Sequence, residues 1–291
     1  MFRTGAEDTY FDMKKTVNCR GRLLDFSTPA VMGILNFTPD SFHSSSRIAN
    51  QTDAIREAGK MAEQGATILD LGGQSTRPGA IYLTAAEEWE RLAPALAGIR
   101  KEFPSIFISV DTFHGDVAKR SIAEGADIIN DISGGTMDPL MFDTIAALQV
   151  PYVLSHIRGT PETMHRNVQY DDVVYEVLNE LQKRLALLSQ KGVRDVLIDP
   201  GFGFGKTIEH NFTLLRHLNI FRMMGKPLLA GLSRKSMIGK TLEIEARDAG
   251  NGSTVLHKLA LTQGVSILRV HDVREAMEAV KLVQKYRNSD T

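Results

Sequence analysis

Eight short apolar runs, most of them rich in Val and Ile, recur along the chain, and each carries polar residues or glycine at or next to its carboxyl end. They are Ala30–Asn36, Ala66–Gly73, Ile106–Thr112, Ala126–Ser133, Pro151–Ile157, Asp195–Gly201, Lys226–Ser233 and Val265–Asp272. A strand with one wet face alternates apolar and polar residues; a continuous apolar run of strand length marks burial on both faces. Helical periodicity fills most of the intervals. Thr52-Asp53 opens a helix that runs through Glu63, with Gly65 as its C-terminal cap. Asp171 to Gln190 sets Val174, Leu178, Leu181, Leu185 and Leu188 on one stripe, and Asp272 is placed to cap a last helix carrying Ala276, Val280 and Val283. Parallel strands need crossover connections, so strand and helix alternating eight times predict an α/β fold, a (β/α)8 TIM barrel. Ahead of the first barrel strand, Thr16–Phe26 with Arg20-Gly21 at its centre predicts an N-terminal β-hairpin that plugs the amino-terminal mouth.

No linker or break in composition divides the chain, so residues 16–291 are expected to form one domain, with 1–15 a disordered N-terminal extension. Its 291 residues, 43% hydrophobic, suffice for one large core. Lys+Arg (34) and Asp+Glu (35) nearly cancel, which gives no global field to attract nucleic acid or an acidic membrane surface. The single cysteine, Cys19, excludes an intrachain disulfide and a cysteine zinc site. Without a long apolar run or a secretory leader, a cytoplasmic protein is expected.

The polar residues that interrupt this pattern fall where the runs end: Asn36, Gly72-Gly73, Asp111-Thr112, Asn130-Asp131, His156, Asp199, Ser233-Arg234-Lys235 and Arg269-His271-Asp272. Strand-end Asp and Asn often merely cap the next helix, but eight coincidences favour a site at the carboxyl face, where barrel loops converge. Gly72 and Gly73 are expected to let backbone approach a ligand, with Ser75, Thr76 and Arg77 as phosphate donors. Asp199 opens a run of three glycines, Gly201, Gly203 and Gly205, that leaves room for a planar group between Phe202 and Phe204. A buried carboxylate there can accept two adjacent N–H groups of a heterocycle, with Asp111 and Asn130 adding contacts. Arg269 and His271 share one face by alternation and, beside Lys235, compose an anion site. His165, His210, His217 and His257 are expected on the surface or hydrogen-bonded.

Taken together, the strings Gly33–Phe42, Gly72–Gly79, Ser109–Thr112, Ile129–Asp131, Asp199–Lys206, Ser233–Ser236 and Arg269–Asp272 resemble the dihydropteroate synthases, in order and from about Val31 onward. The resemblance implies a transferase of folate synthesis. It joins (7,8-dihydropterin-6-yl)methyl diphosphate to 4-aminobenzoate, giving 7,8-dihydropteroate and diphosphate. It implies a pterin grip by Asp111, Asn130, Asp199 and Lys235, joined by Arg269. Diphosphate falls to Thr76, Arg269 and His271, with Mg²⁺ on Asn36; Arg77, Pro78, Phe204 and Ser236 bound the aminobenzoate site. Lys235, Arg269, His271 and Asp111 are the expected catalytic set. A homodimer is likewise implied, with Leu256, Leu259, Leu282 and Val283 as apolar positions on the last helices.

Two stretches depart from the family pattern. His43-Ser44-Ser45-Ser46-Arg47 stands where Asp-Gly-Gly is usual, and Ser155-His156-Ile157 where Met-His-Met is common. Residues 37–48 and 74–83 are expected to act as closing lids. A pterin-dependent methyltransferase and a non-catalytic pterin-binding barrel are the alternatives; the first has no diphosphate to hold, which the cationic strand ends argue against.

Overall fold

The structure, a computed structural model, describes residues 14–37, 51–74, 82–160, 163–164 and 168–289. A hairpin of β1 (Thr16–Cys19) and β2 (Arg22–Asp25) precedes eight parallel strands: β3 (Ala30–Asn36), β4 (Ile68–Gly72), β5 (Phe107–Asp111), β6 (Ile128–Asp131), β7 (Tyr152–Ser155), β8 (Val196–Asp199), β9 (Leu229–Ala230) and β10 (Ile267–Val270). The crossovers are α1 (Gln51–Glu63), α2 (Ala85–Glu102), α3 (Gly115–Ala123), α4 (Met141–Leu148), α5 (Val173–Gln190), α6 (Ile208–Arg216), and the pair α7 (Ser236–Leu242) and α8 (Gly250–Thr262); α9 (Val273–Arg287) closes the chain.

Strand order is β8-β7-β6-β5-β4-β3-β10-β9, and the two ends meet through a parallel bridge, Ile198 to Leu228. The TIM barrel is thereby closed. Each observed strand lies within its expected segment. The shortest, β9, keeps only two residues of the expected Lys226–Ser233. Pro227 has no N–H to give a ladder, although its carbonyl accepts from Ile198 at 2.9 Å.

The hairpin plugs the barrel as expected. Arg20 (φ 55°) and Gly21 (φ 89°) both take the left-handed conformation that a two-residue hairpin turn requires. Val17, Cys19 and Leu24 then pack under Met32, Ile68, Ile128, Val153, Leu197, Leu229 and Ile267, the innermost apolar layer. Buried side chains of this kind contribute roughly 1.5–3 kcal/mol each. Asp127, 3% exposed, ties the plug down by accepting from Arg22 (2.9 Å) and Arg100 (2.6 Å). Of the expected extension, residues 1–13 lie outside the described residues, and Lys14 pairs with Asp195 at 2.5 Å.

Two local expectations change. The Asp272 carboxylate does not cap α9; both its oxygens are held by Arg234, at 2.9 and 2.6 Å. A bidentate guanidinium outcompetes a helix N–H for a carboxylate. His257 is neither on the surface nor hydrogen-bonded, being 1% exposed with no partner for either ring nitrogen.

Candidate active site

Because side chains alternate along a strand, the residues two positions beyond the innermost apolar layer also point into the barrel. On six strands these are Asp70, Ser109, Asn130, Ser155, Asp199 and Arg269. A polar layer thus sits on the apolar one, at the carboxyl end. Arg269 organises it: Nε donates to Asp70 Oδ2 and Nη2 to Asp111 Oδ2, each at 2.6 Å, while Asn130 Nδ2 reaches the same Asp70 oxygen at 3.0 Å. Against the cost of burial, the two carboxylates hold the guanidinium firmly charged. Burial pushes Asp111 up to about 7, opposed by Arg269 and helped by the neighbouring Asp70. Asp70, 0% exposed and not among the expected ligands, is the residue that orients both Arg269 and Asn130.

Asp199 leaves β8 with Oδ1 accepting the Gly201 N–H at 2.8 Å. Burial raises its pKa, while Gly201, Lys235 and Arg269 draw it back. The glycines that follow are required by close contacts within the protein. At Gly201 a Cβ would lie 1.9 Å from the His156 carbonyl oxygen, and at Gly205 2.5 Å from that of Arg158. Both have positive φ, and only Gly203 faces a site residue, its Cβ position 3.2 Å from Lys235 Cδ. Gly72 likewise clears Asn36 Oδ1 (2.9 Å) and Gly73 clears Glu88 Cγ on α2 (3.0 Å), so the protein's own packing requires glycine at both positions. Phe202 is also reassigned: it is 1% exposed in the core between strands and helices. Phe204 does meet the site, with Lys235 Nζ 4.2 Å above its ring. Burial, with Arg269 adding, lowers Lys235 to about 8.

Beyond β10, the Ser233 hydroxyl accepts the His271 N–H and meets its Nδ1, both at 3.2 Å. The His271 side chain opens on the mouth, yet the protein packed around its ring, then the cations of Arg269 and Arg234, push its pKa down to about 4. It is therefore a neutral hydrogen-bonding group at pH 7. Arg234, between Ser233 and Lys235, is left-handed (φ 54°), with its N–H on Ser253 Oγ at 2.9 Å. Ser236 begins α7 and is exposed. Asn36 ends β3 next to Gly72, and among the described residues no group of three His, Cys, Asp or Glu can cage a metal. A single amide oxygen there can hold a hard cation only jointly with oxygens of a bound phosphate.

Thr76, Arg77 and Pro78 lie outside the described residues, as do 38–50, including Phe42, Ser44–Ser46 and Arg47. The described ends of the two expected lids are anchored. Phe37 is buried in the main core, and the Gln74 side chain bonds both N–H and C=O of Leu83 at 3.1 Å. Asp131, expected near the site, instead binds the Tyr152 hydroxyl at 2.7 Å and the N–H groups of Ser133 and Gly135. No helix among the described residues is long and apolar enough to cross a membrane.

Residues 32–271 match the pterin binding enzymes, the class that this barrel and its polar layer define. The chain is 42% identical over 267 residues to the dihydropteroate synthase of Escherichia coli (strain K12), covering 91% of this chain and 94% of that one. The crystal structure of the Yersinia pestis dihydropteroate synthase with a sulfonamide drug complex shares its fold at a TM-score of 0.89 and 38% identity, over 94% of this chain and 99% of that one. That of Xanthomonas albilineans dihydropteroate synthase in complex with 7,8-dihydropteroate does so at 0.85 and 36%, with the same coverage. The chain belongs to the dihydropteroate synthases.

Proposed function

We propose that this chain condenses (7,8-dihydropterin-6-yl)methyl diphosphate with 4-aminobenzoate in folate synthesis, at the carboxyl mouth of its barrel. The observation that carries the assignment is the polar layer: Asp70, Asp111, Asn130, Asp199 and Arg269 converge inside the barrel above its apolar layer, with Lys235 beside them. Asp111, Asn130, Asp199 and Lys235 bind the pterin through its ring N–H groups and acceptors. Arg269, His271 and Thr76 take the diphosphate, and Arg77, Pro78, Phe204 and Ser236 bound the aminobenzoate.

The amine nitrogen attacks the exocyclic methylene, the C–O bond to diphosphate breaks with its electron pair on oxygen, and the amine loses a proton. Positive charge grows on the pterin side, where Asp111 and Asp199 face it, and negative charge on the leaving oxygens, where Arg269 waits already oriented by two carboxylates. Neutral His271 adds a hydrogen bond to the anion, and the diphosphate charge would in turn raise its pKa. Asn36 would hold a Mg²⁺ together with phosphate oxygens; when bound, the cation supplies further stabilisation of the departing charge. A cytoplasmic location and a homodimer belong to the same assignment. Leu256 and Val283, each 6% exposed, are used in the chain's own core, whereas exposed Leu242, Val255, Leu259 and Leu282 are available to a second copy.

Asp199→Asn tests the pterin site, because removing one charge from a buried set typically costs about 2–5 kcal/mol. Calorimetry is expected to show pterin affinity lost in a folded protein; wild-type affinity would remove Asp199 from the site.

A further inference from the structure

Lys206 ends the glycine turn after β8, and its side chain is nearly sealed from solvent. An ammonium so placed must be held by acceptors or give up its charge. Four acceptors surround Nζ: the carbonyls of Gly201 (2.8 Å) and Phe204 (3.0 Å), His156 Nδ1 (2.9 Å) and, more loosely, the His156 carbonyl (3.4 Å). Burial lowers Lys206 to about 7 and the Asp199 carboxylate opposes the shift. As an ammonium it has no lone pair, so it donates and His156 Nδ1, on a ring that burial keeps neutral, accepts. The imidazole proton is then on Nε2, where it is donated to Glu180 Oε2 at 3.1 Å. Glu180 is held in turn by Arg158 at 2.9 Å. A chain of polar contacts therefore runs from the outer helix α5 to the inside of the turn.

The turn transmits this to the site at two points. Gly201 gives its carbonyl to Lys206 and its N–H to Asp199 Oδ1. Phe204 gives its carbonyl to Lys206, bonds the Gly201 carbonyl through its N–H at 3.2 Å, and presents its ring to Lys235. The ammonium thus braces one side of the turn while Asp199 and Lys235 stand on the other. We infer that Lys206 is a positioning residue: its ammonium, secured by His156 and Glu180, sets the separation of Asp199 and Lys235 that the pterin ring requires. The inference rests on the pterin-site assignment above.

Lys206→Met keeps the apolar stem and removes the charge, and the test uses the full chain with 6-hydroxymethylpterin as the probe. By calorimetry the Kd of the probe is expected to rise at least tenfold. In turnover, KM for the pterin diphosphate rises in parallel and kcat falls by less than KM rises, since Asp199 and Lys235 shift while Arg269 stays bonded to Asp70 and Asp111, and His271 to Ser233. His156→Gln, whose amide can accept from Lys206 and donate to Glu180, is expected to stay within threefold of wild type, whereas His156→Leu follows Lys206→Met. A brace needed only for folding would lower the melting temperature of these variants and leave Kd alone. A folded Lys206→Met with Kd within twofold of wild type, or with a loss confined to kcat, overturns the inference. If Lys206→Met does not fold, Glu180→Gln decides from its part-exposed position: a Kd raised threefold or more supports the chain, and an unchanged Kd overturns it. A wild-type chain that binds no 6-hydroxymethylpterin overturns the pterin-site assignment itself, an outcome distinct from equal binding by wild type and variants.

Discussion

Glu88→Gln is expected to stabilise this protein, and only above mildly acid pH. Glu88 is on α2 at the base of the second barrel loop, 0% exposed, with Oε2 accepting from Thr112 Oγ1 at 3.1 Å and Oε1 without a partner. Burial, helped by the carboxylates of Asp111 and Asp131 and opposed by the Thr112 bond, lifts its pKa from 4.5 to about 8. In the unfolded chain the same group ionises near its ordinary value. Between those two values the folded state binds more protons than the unfolded one, so stability falls as pH rises. The slope is about 1.4 kcal/mol per pH unit. From 4.5 to pH 7 the accumulated penalty is roughly 3 kcal/mol. Gln keeps an oxygen for Thr112 and carries no such penalty. The variant should therefore match or trail wild type near pH 4.5 and exceed it by about 3 kcal/mol at pH 7, or roughly 6–12 °C in melting temperature. Urea titrations followed by circular dichroism at pH 5, 6, 7 and 8 measure the difference. A difference independent of pH, or a Gln variant less stable at pH 8, would refute the reasoning.

Asp70→Asn removes one of the two carboxylates on Arg269; with Asp111 still paired, the loss should be about 3 kcal/mol, read as a lowered melting temperature. An unchanged melting temperature would contradict the organising role of Asp70. Activity should disappear on chelation and return with Mg²⁺, whereas a full rate after exhaustive chelation would remove Asn36 as a metal ligand. Val255→Glu with Leu259→Glu should turn a dimer into a monomer in sedimentation; a wild-type chain already monomeric at micromolar concentration would count against the dimer.

The barrel could be read from the chain because burial on both faces leaves a mark in consecutive residues, as in Ala30–Asn36, and the ends of the runs located the carboxyl face. Arg269 and His271 were legible through strand alternation. Asp70 stands in the middle of its strand, so the pattern of polar strand ends does not single it out. Its signal is a charge two residues before Gly72, on the same inward face of an apolar run. The roles of Gly201, Gly205 and Lys206 depend on His156 and Arg158, about fifty residues away in the chain, and no local pattern encodes that contact. Asp272 departs from its expected cap for the same reason: capping is a local rule, and its partner Arg234 is 38 residues distant.

The central claim is a reaction, and the purified chain tests it with (7,8-dihydropterin-6-yl)methyl diphosphate, 4-aminobenzoate and Mg²⁺. Diphosphate release and 7,8-dihydropteroate formation, followed together, should appear in equal amounts and depend on both substrates. Arg269→Met, which removes the cation from the leaving group, should suppress both. No dihydropteroate from a folded wild-type chain that binds the pterin would contradict the assignment and leave a pterin-binding barrel of another kind.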